Sequence, residues 1–139
     1  MKLNRFTMIE LLAVLTVTSI LLVMTISSFK HSPVTSVQVQ VGSAIEVAFN
    51  KHLVDKLESR VYIDGNQLKT LHTVVNLHGV NIKITMAGSE VREFTFDKFQ
   101  VKDSAGYVLI EISDNKNQDD VVVVRVSGFT GHVSYYNID

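Results

Sequence analysis

At 139 residues the chain has room for one compact domain and one extended element, but not for two independent cores. The formal charge is −1, and from His31 onward ten Lys and Arg face thirteen Asp and Glu, so this part offers no electrostatic footprint for nucleic acid. The absence of cysteine excludes a disulfide framework, a thiolate metal site and thiol redox chemistry.

The first element is the most distinctive. Lys2 and Arg5 precede a stretch from Phe6 to Phe29 whose single charge is Glu10. As a helix at about 1.5 Å per residue, that stretch reaches roughly 36 Å, enough to cross a hydrocarbon core of about 30 Å with some tilt. The expectation is a single transmembrane helix, with Lys2 and Arg5 cytoplasmic and everything after Lys30 exported. A carboxylate inside an apolar helix is costly without a partner or a cavity, and ordinary secretory signals avoid one. Three readings follow for the segment: a cleaved secretory signal ending near Ser28, a plain anchor, and an assembly helix in which Glu10 is functional.

Lys30-His31-Ser32-Pro33 marks the exit from the apolar segment, and Pro33 predicts a break followed by a fresh helical start. Val37, Val41, Ile45, Ala48, Phe49, Leu53 and Leu57 recur at three- and four-residue steps, predicting an amphipathic helix to about Ser59. After Arg60 the period changes to two. Strands are predicted around Val80–Met86, Phe94–Phe96, Tyr107–Ile112, Val121–Val126 and His132–Tyr136, the last following the Gly128-Phe129-Thr130-Gly131 turn. The expected class is α+β: a long N-terminal transmembrane and amphipathic helix packed on a C-terminal antiparallel sheet of five or six strands. The corresponding divisions are 1–5, 6–29, 30–59 and 60–139.

Catalytic and cofactor patterns are missing. The histidines His31, His52, His72, His78 and His132 form no HxH or HExxH spacing, so neither a metal nor another cofactor is expected. The acidic run Asp114–Asp120 is interrupted by Lys116 and closed by no glutamate, which favours a solvated hairpin loop over a calcium loop. No nucleophile elbow or phosphate loop occurs, and no enzyme activity is expected. Lys69, Lys83, Arg92, Lys98 and Lys102 with Phe94, Phe96 or Phe99 offer a nucleic-acid reading, but core phenylalanines and solvated lysines explain them more simply; direct DNA binding is not indicated.

The string Phe6-Thr7-Met8-Ile9-Glu10-Leu11-Leu12-Ala13-Val14-Leu15 resembles the type IV pilin and pseudopilin signature. That resemblance implies cleavage between Arg5 and Phe6, methylation of the new Phe6 amine, and pairing of Glu10 with the amine of a neighbouring subunit during assembly. The position before the cut is Arg5, where the family has glycine or alanine; an uncleaved terminus would leave Glu10 without that amine. The layout further along resembles minor pseudopilins, the H-type of type II secretion and the D-type of the Gram-positive competence machinery. It implies a structural subunit of a competence pseudopilus for DNA uptake, at the cell membrane and surface. The implied partners are other pseudopilin subunits, a prepilin peptidase, an assembly ATPase and a membrane platform. The alternatives are a subunit of a secretion or adhesive pilus, or a tethered binding domain that does not polymerise.

Overall fold

The computed structural model describes residues 8–28, 32–103 and 106–138, with the side chains of the first helix from Met8 to Met24. The chain divides into two compact units, Met1–His31 and Ser32–Asp139. The first contains helix α1 (Met8–Ser28). The second contains helix α2 (Pro33–Asp55) and ten strands: β1 (Ser59–Asp64), β2 (Gln67–Lys69), β3 (Val74–Asn76), β4 (Val80–Met86), β5 (Ser89–Val91), β6 (Glu93–Asp97), β7 (Gln100–Val101), β8 (Tyr107–Asp114), β9 (Val121–Ser127) and β10 (Val133–Ile138).

The expected fold is corrected in three respects. The helical part is two helices assigned to separate units, because Pro33 occupies the start of α2, where its missing N–H costs nothing, and holds Ser32 extended at φ −52°, ψ 130°. The strands form two antiparallel five-stranded sheets, β3-β2-β1-β6-β7 and β10-β9-β8-β4-β5, instead of one. Among the described residues, no helix is long and apolar enough to cross a membrane. The single-pass anchor, and the localisation built on it, are therefore not supported.

Helix α2 ends at Asp55, ahead of the expected Ser59, since Lys56 adopts the left-handed conformation at φ 56° and its N–H caps the His52 carbonyl. Ser59 and Arg60 pair instead with Phe96 and Thr95 of β6. The buried face of α2 comprises Val34, Val37, Gln38, Val41, Gly42, Ala44, Ile45, Ala48 and His52, the spacing expected of one helical stripe. It packs on β1, β3 and β6 of one sheet and on β8, β9 and β10 of the other. Burying its apolar side chains contributes about 1.5–3 kcal/mol for each of the larger ones. Leu53 and Leu57 are not in the stripe; both are exposed.

Two buried polar side chains fix the position of α2. The Gln38 Nε2 donates to the carbonyls of Val123 and Tyr136, each at 3.1 Å, bracing the helix against β9 and β10. His52 hydrogen-bonds through Nδ1 to the Leu57 carbonyl, and its Nε2 accepts the Phe99 N–H at 3.0 Å. At the start of α2 the Ser32 hydroxyl donates to Asp120 Oδ2 at 2.6 Å. These bonds satisfy groups that would otherwise each cost about 1–3 kcal/mol to bury.

Gly42 has a packing role, for a Cβ there would lie 2.3 Å from the Tyr135 hydroxyl oxygen. Partial burial, with the nearby Glu46 carboxylate, raises the Tyr135 pKa above the ordinary tyrosine value of about 10. The fold thus favours the neutral phenol. That contribution is complete below about pH 10 and is lost as the pH rises through the raised value. Tyr135→Phe is expected to make the stability of the unit less sensitive to alkali, read as the denaturation midpoint between pH 9 and 11; an unchanged slope would refute it.

Candidate assembly site

Helix α1 is built from Met8-Ile9-Glu10-Leu11-Leu12-Ala13-Val14-Leu15 and the apolar run that follows, with no proline or glycine to interrupt it. Every large apolar side chain from Met8 to Met24 is more than half exposed, from 53% at Ile20 to 81% at Met8. Those residues occupy all faces of the helix. A helix apolar all round is stable in an apolar environment, and contiguous exposed apolar surface of this kind marks an interaction site.

Glu10 stands in the first turn of α1, where a carboxylate is stabilised by the positive end of the helix dipole, typically by about 0.3–1 kcal/mol. It is exposed. Arg5 and Phe6, expected to flank the processing site, lie outside the described residues, so the structure does not bring Phe6 and Glu10 together or separate them.

Among the described side chains of α1, the hydroxyls of Thr16, Thr18 and Ser19 are bonded within the helix. The Thr16 hydroxyl donates to the Leu12 carbonyl at 2.6 Å, Thr18 to Val14 at 2.8 Å, and Ser19 to Leu15 at 2.7 Å. Bonding to the carbonyl four residues back hides each hydroxyl, so the surface is more apolar than the sequence implies.

The other residues considered for chemistry are dispersed. Phe94 and Phe96 are core, at 3% and 0% exposure, while Phe99 is exposed, so the phenylalanines do not form a stacking platform on one face. Asp114–Asp120 forms the β8–β9 connection, in which Asp114 accepts the Lys116 N–H at 2.7 Å and the Asp120 carbonyl accepts the Asp114 N–H at 3.2 Å. Among the described residues, no group of three or more His, Asp or Glu side chains is placed to hold a metal ion. The roles of Gln38 and His52 escape a sequence reading because an apolar stripe predicts neither; their position in register with Val34, Val41, Ile45 and Ala48 is the signal that would have found them.

No protein-family model, curated protein or solved structure matches this chain.

Proposed function

We propose that the chain is a minor pseudopilin, a structural and assembly subunit of a type IV pilus-like competence pseudopilus. The observation that carries the reading is α1: an apolar helix exposed on every face, with one carboxylate in its first turn, in a compact unit of its own. Such a helix needs a cover, and α1 helices of neighbouring subunits supply one by side-by-side packing. The ten-residue match from Phe6 to Leu15 supports the same reading. Processing between Arg5 and Phe6 by a prepilin peptidase, with methylation of Phe6, supplies the amine for Glu10 of the adjoining copy. An assembly ATPase and a platform protein complete the partner set, and the protein itself is not an enzyme.

The test is recovery of the chain in sheared filaments from cells with and without the prepilin peptidase, with N-terminal mass analysis. A mature chain starting at Phe6, one methyl heavier and found with the filaments only when the peptidase is present, is the expected result. Glu10→Ala is expected to lower filament incorporation about tenfold at unchanged cellular level, the scale of one lost charge-assisted pair. An intact Met1 terminus in both strains, with no filament association, would instead identify a binding domain that does not polymerise.

A further inference from the structure

Among the described residues, His52 is the only buried titratable side chain, at 3% exposure in the last turn of α2. Its two ring nitrogens face backbone groups of fixed polarity. The Leu57 carbonyl can only accept, so Nδ1 carries the hydrogen; the Phe99 amide, 3.0 Å from Nε2, can only donate, so Nε2 keeps its lone pair. The site therefore specifies one protonation state, the neutral ring with its hydrogen on Nδ1. A second proton would sit on Nε2 and point at the Phe99 N–H, two donors face to face, with that amide left unbonded.

The surroundings supply no acceptor for that proton. The neighbouring rings are those of Phe49, Phe96 and Phe99, with centroids 6.5, 6.5 and 5.8 Å away. The charged groups on the elements around His52 are Lys51 and Asp55 of α2, Lys56 and Glu58 of the connection to β1, and Asp97 and Lys98 at the β6–β7 turn. They are three of each sign, all exposed but the half-buried Asp97, and none hydrogen-bonds the ring, whose nitrogens are both taken by backbone. Glu93 of β6 is held instead by Arg60 of β1. An imidazolium here gains a partner for Nε2 only if the turn withdraws and water enters.

The turn on the far side of this bond is weakly held. Lys98 and Phe99 lie at φ 49° and 64°, a conformation that disfavours residues with a side chain, and β7 pairs with β6 over only two residues. At the other nitrogen protonation changes nothing, because Nδ1 donates to Leu57 in both states and the Lys56 N–H still caps α2. We infer that His52 is an acid-operated latch on the β6–β7 turn: the neutral ring binds the Phe99 amide and holds the turn, and protonation of Nε2 releases it while the helix end stays tied. The two backbone partners carry exposed apolar side chains, Leu57 at 68% and Phe99 at 51%, so the latch sets how far apart this pair stands on the surface. The device lies in the Ser32–Asp139 unit and is independent of the assembly role of α1.

The test is nuclear magnetic resonance of the full chain, isotope-labelled and in dilute detergent micelles, between about pH 8 and pH 5, where imidazole side chains ordinarily change charge. At the upper end the ring nitrogens of His52 are expected to report the Nδ1–H tautomer. As the ring takes its second proton, the hydrogen-exchange protection of the Phe99 amide, corrected for the intrinsic pH dependence of exchange, is expected to fall about tenfold with the same midpoint, the scale of one lost hydrogen bond. The Lys56 amide, bonded to the His52 carbonyl, keeps its protection. His52→Asn puts an amide nitrogen where Nδ1 stood and nothing in the place of Nε2, so Phe99 should be unprotected at every pH with Lys56 still protected. An Nε2–H tautomer at pH 8, a ring that stays neutral until the unit unfolds, or Phe99 protection that holds while the ring charges overturns the inference. So does loss of protection at Phe99 and Lys56 together, or a protected Phe99 in folded His52→Asn. The readouts from the unsubstituted chain decide the matter even where His52→Asn fails to fold.

Discussion

Replacing Phe96 by alanine is expected to lower the stability of the Ser32–Asp139 unit by about 3–5 kcal/mol. Phe96 heads the largest fully buried side chains, and its ring meets that of Phe49 edge-on at 5.1 Å and that of Phe94 at 5.6 Å. It also stands in β6, the strand that pairs with both β1 and β7, so the void would open beside the ladder holding the first sheet together. A domain of this size has a net stability of about 5–15 kcal/mol, and the loss would remove a large share of it. Urea denaturation followed by circular dichroism measures the effect as a lower midpoint at unchanged slope. Phe99→Ala is the natural comparison, because that ring is 51% exposed, and its truncation should cost much less. A Phe96→Ala cost below about 1 kcal/mol would mean that the aromatic cluster is not the centre of the core.

Where side-chain periodicity alone decides the structure, the sequence was legible. The alternation in Val80–Met86 and Glu93–Asp97 and the runs at Tyr107–Asp114 and Val121–Ser127 are strands, and the stripe through Val37, Val41, Ile45 and Ala48 is the buried face of α2. Strands β2, β3, β5 and β7 were not predicted because each has only two or three residues, and the six-residue β1 because its pattern is broken. In β1, Val61 is buried but the rest of Tyr62-Ile63-Asp64 faces outward or is half-covered, and β2 and β3 each bury one residue, Leu68 and Val75. Nothing in a local pattern shows that they form a second sheet, since the chain passes between the sheets three times, from β3 to β4, from β5 to β6 and from β7 to β8, the second time through Arg92 alone, whose carbonyl accepts the Ile63 N–H at 3.0 Å.

Turn chemistry misleads in the same places. The β4–β5 and β6–β7 hairpins turn on Ala87-Gly88 and Lys98-Phe99, all four residues at positive φ. Asn-Gly or Asp-Gly normally announces such a turn. Phe99, at φ 64°, is an unexpected residue for it, and the acceptance of its N–H by His52 helps to offset the conformational cost. For the candidate site, the apolar run and Glu10 were visible from composition. Its membership of a separate unit and the internal bonding of Thr16, Thr18 and Ser19 were not, because they depend on tertiary contacts and side-chain rotamers.

Gly131→Ala is expected to be the most disruptive change of a single methyl group, costing about 2–5 kcal/mol from two sources. Gly131 sits at φ 63°, where a Cβ adds about 1–2 kcal/mol of backbone strain. That Cβ would also lie 2.4 Å from Cγ of Phe49, at the base of the ring, so the whole ring has to move. Phe49 in turn packs on Phe96 and lies near His52, with ring centroids 5.1 and 6.5 Å away, and the displacement passes into the core. Gly65→Ala separates the two sources. Gly65 has a similar φ of 57° but nothing within 4 Å of an added Cβ, so it should show the strain alone. A matching loss at both glycines would mean that Phe49 yields freely.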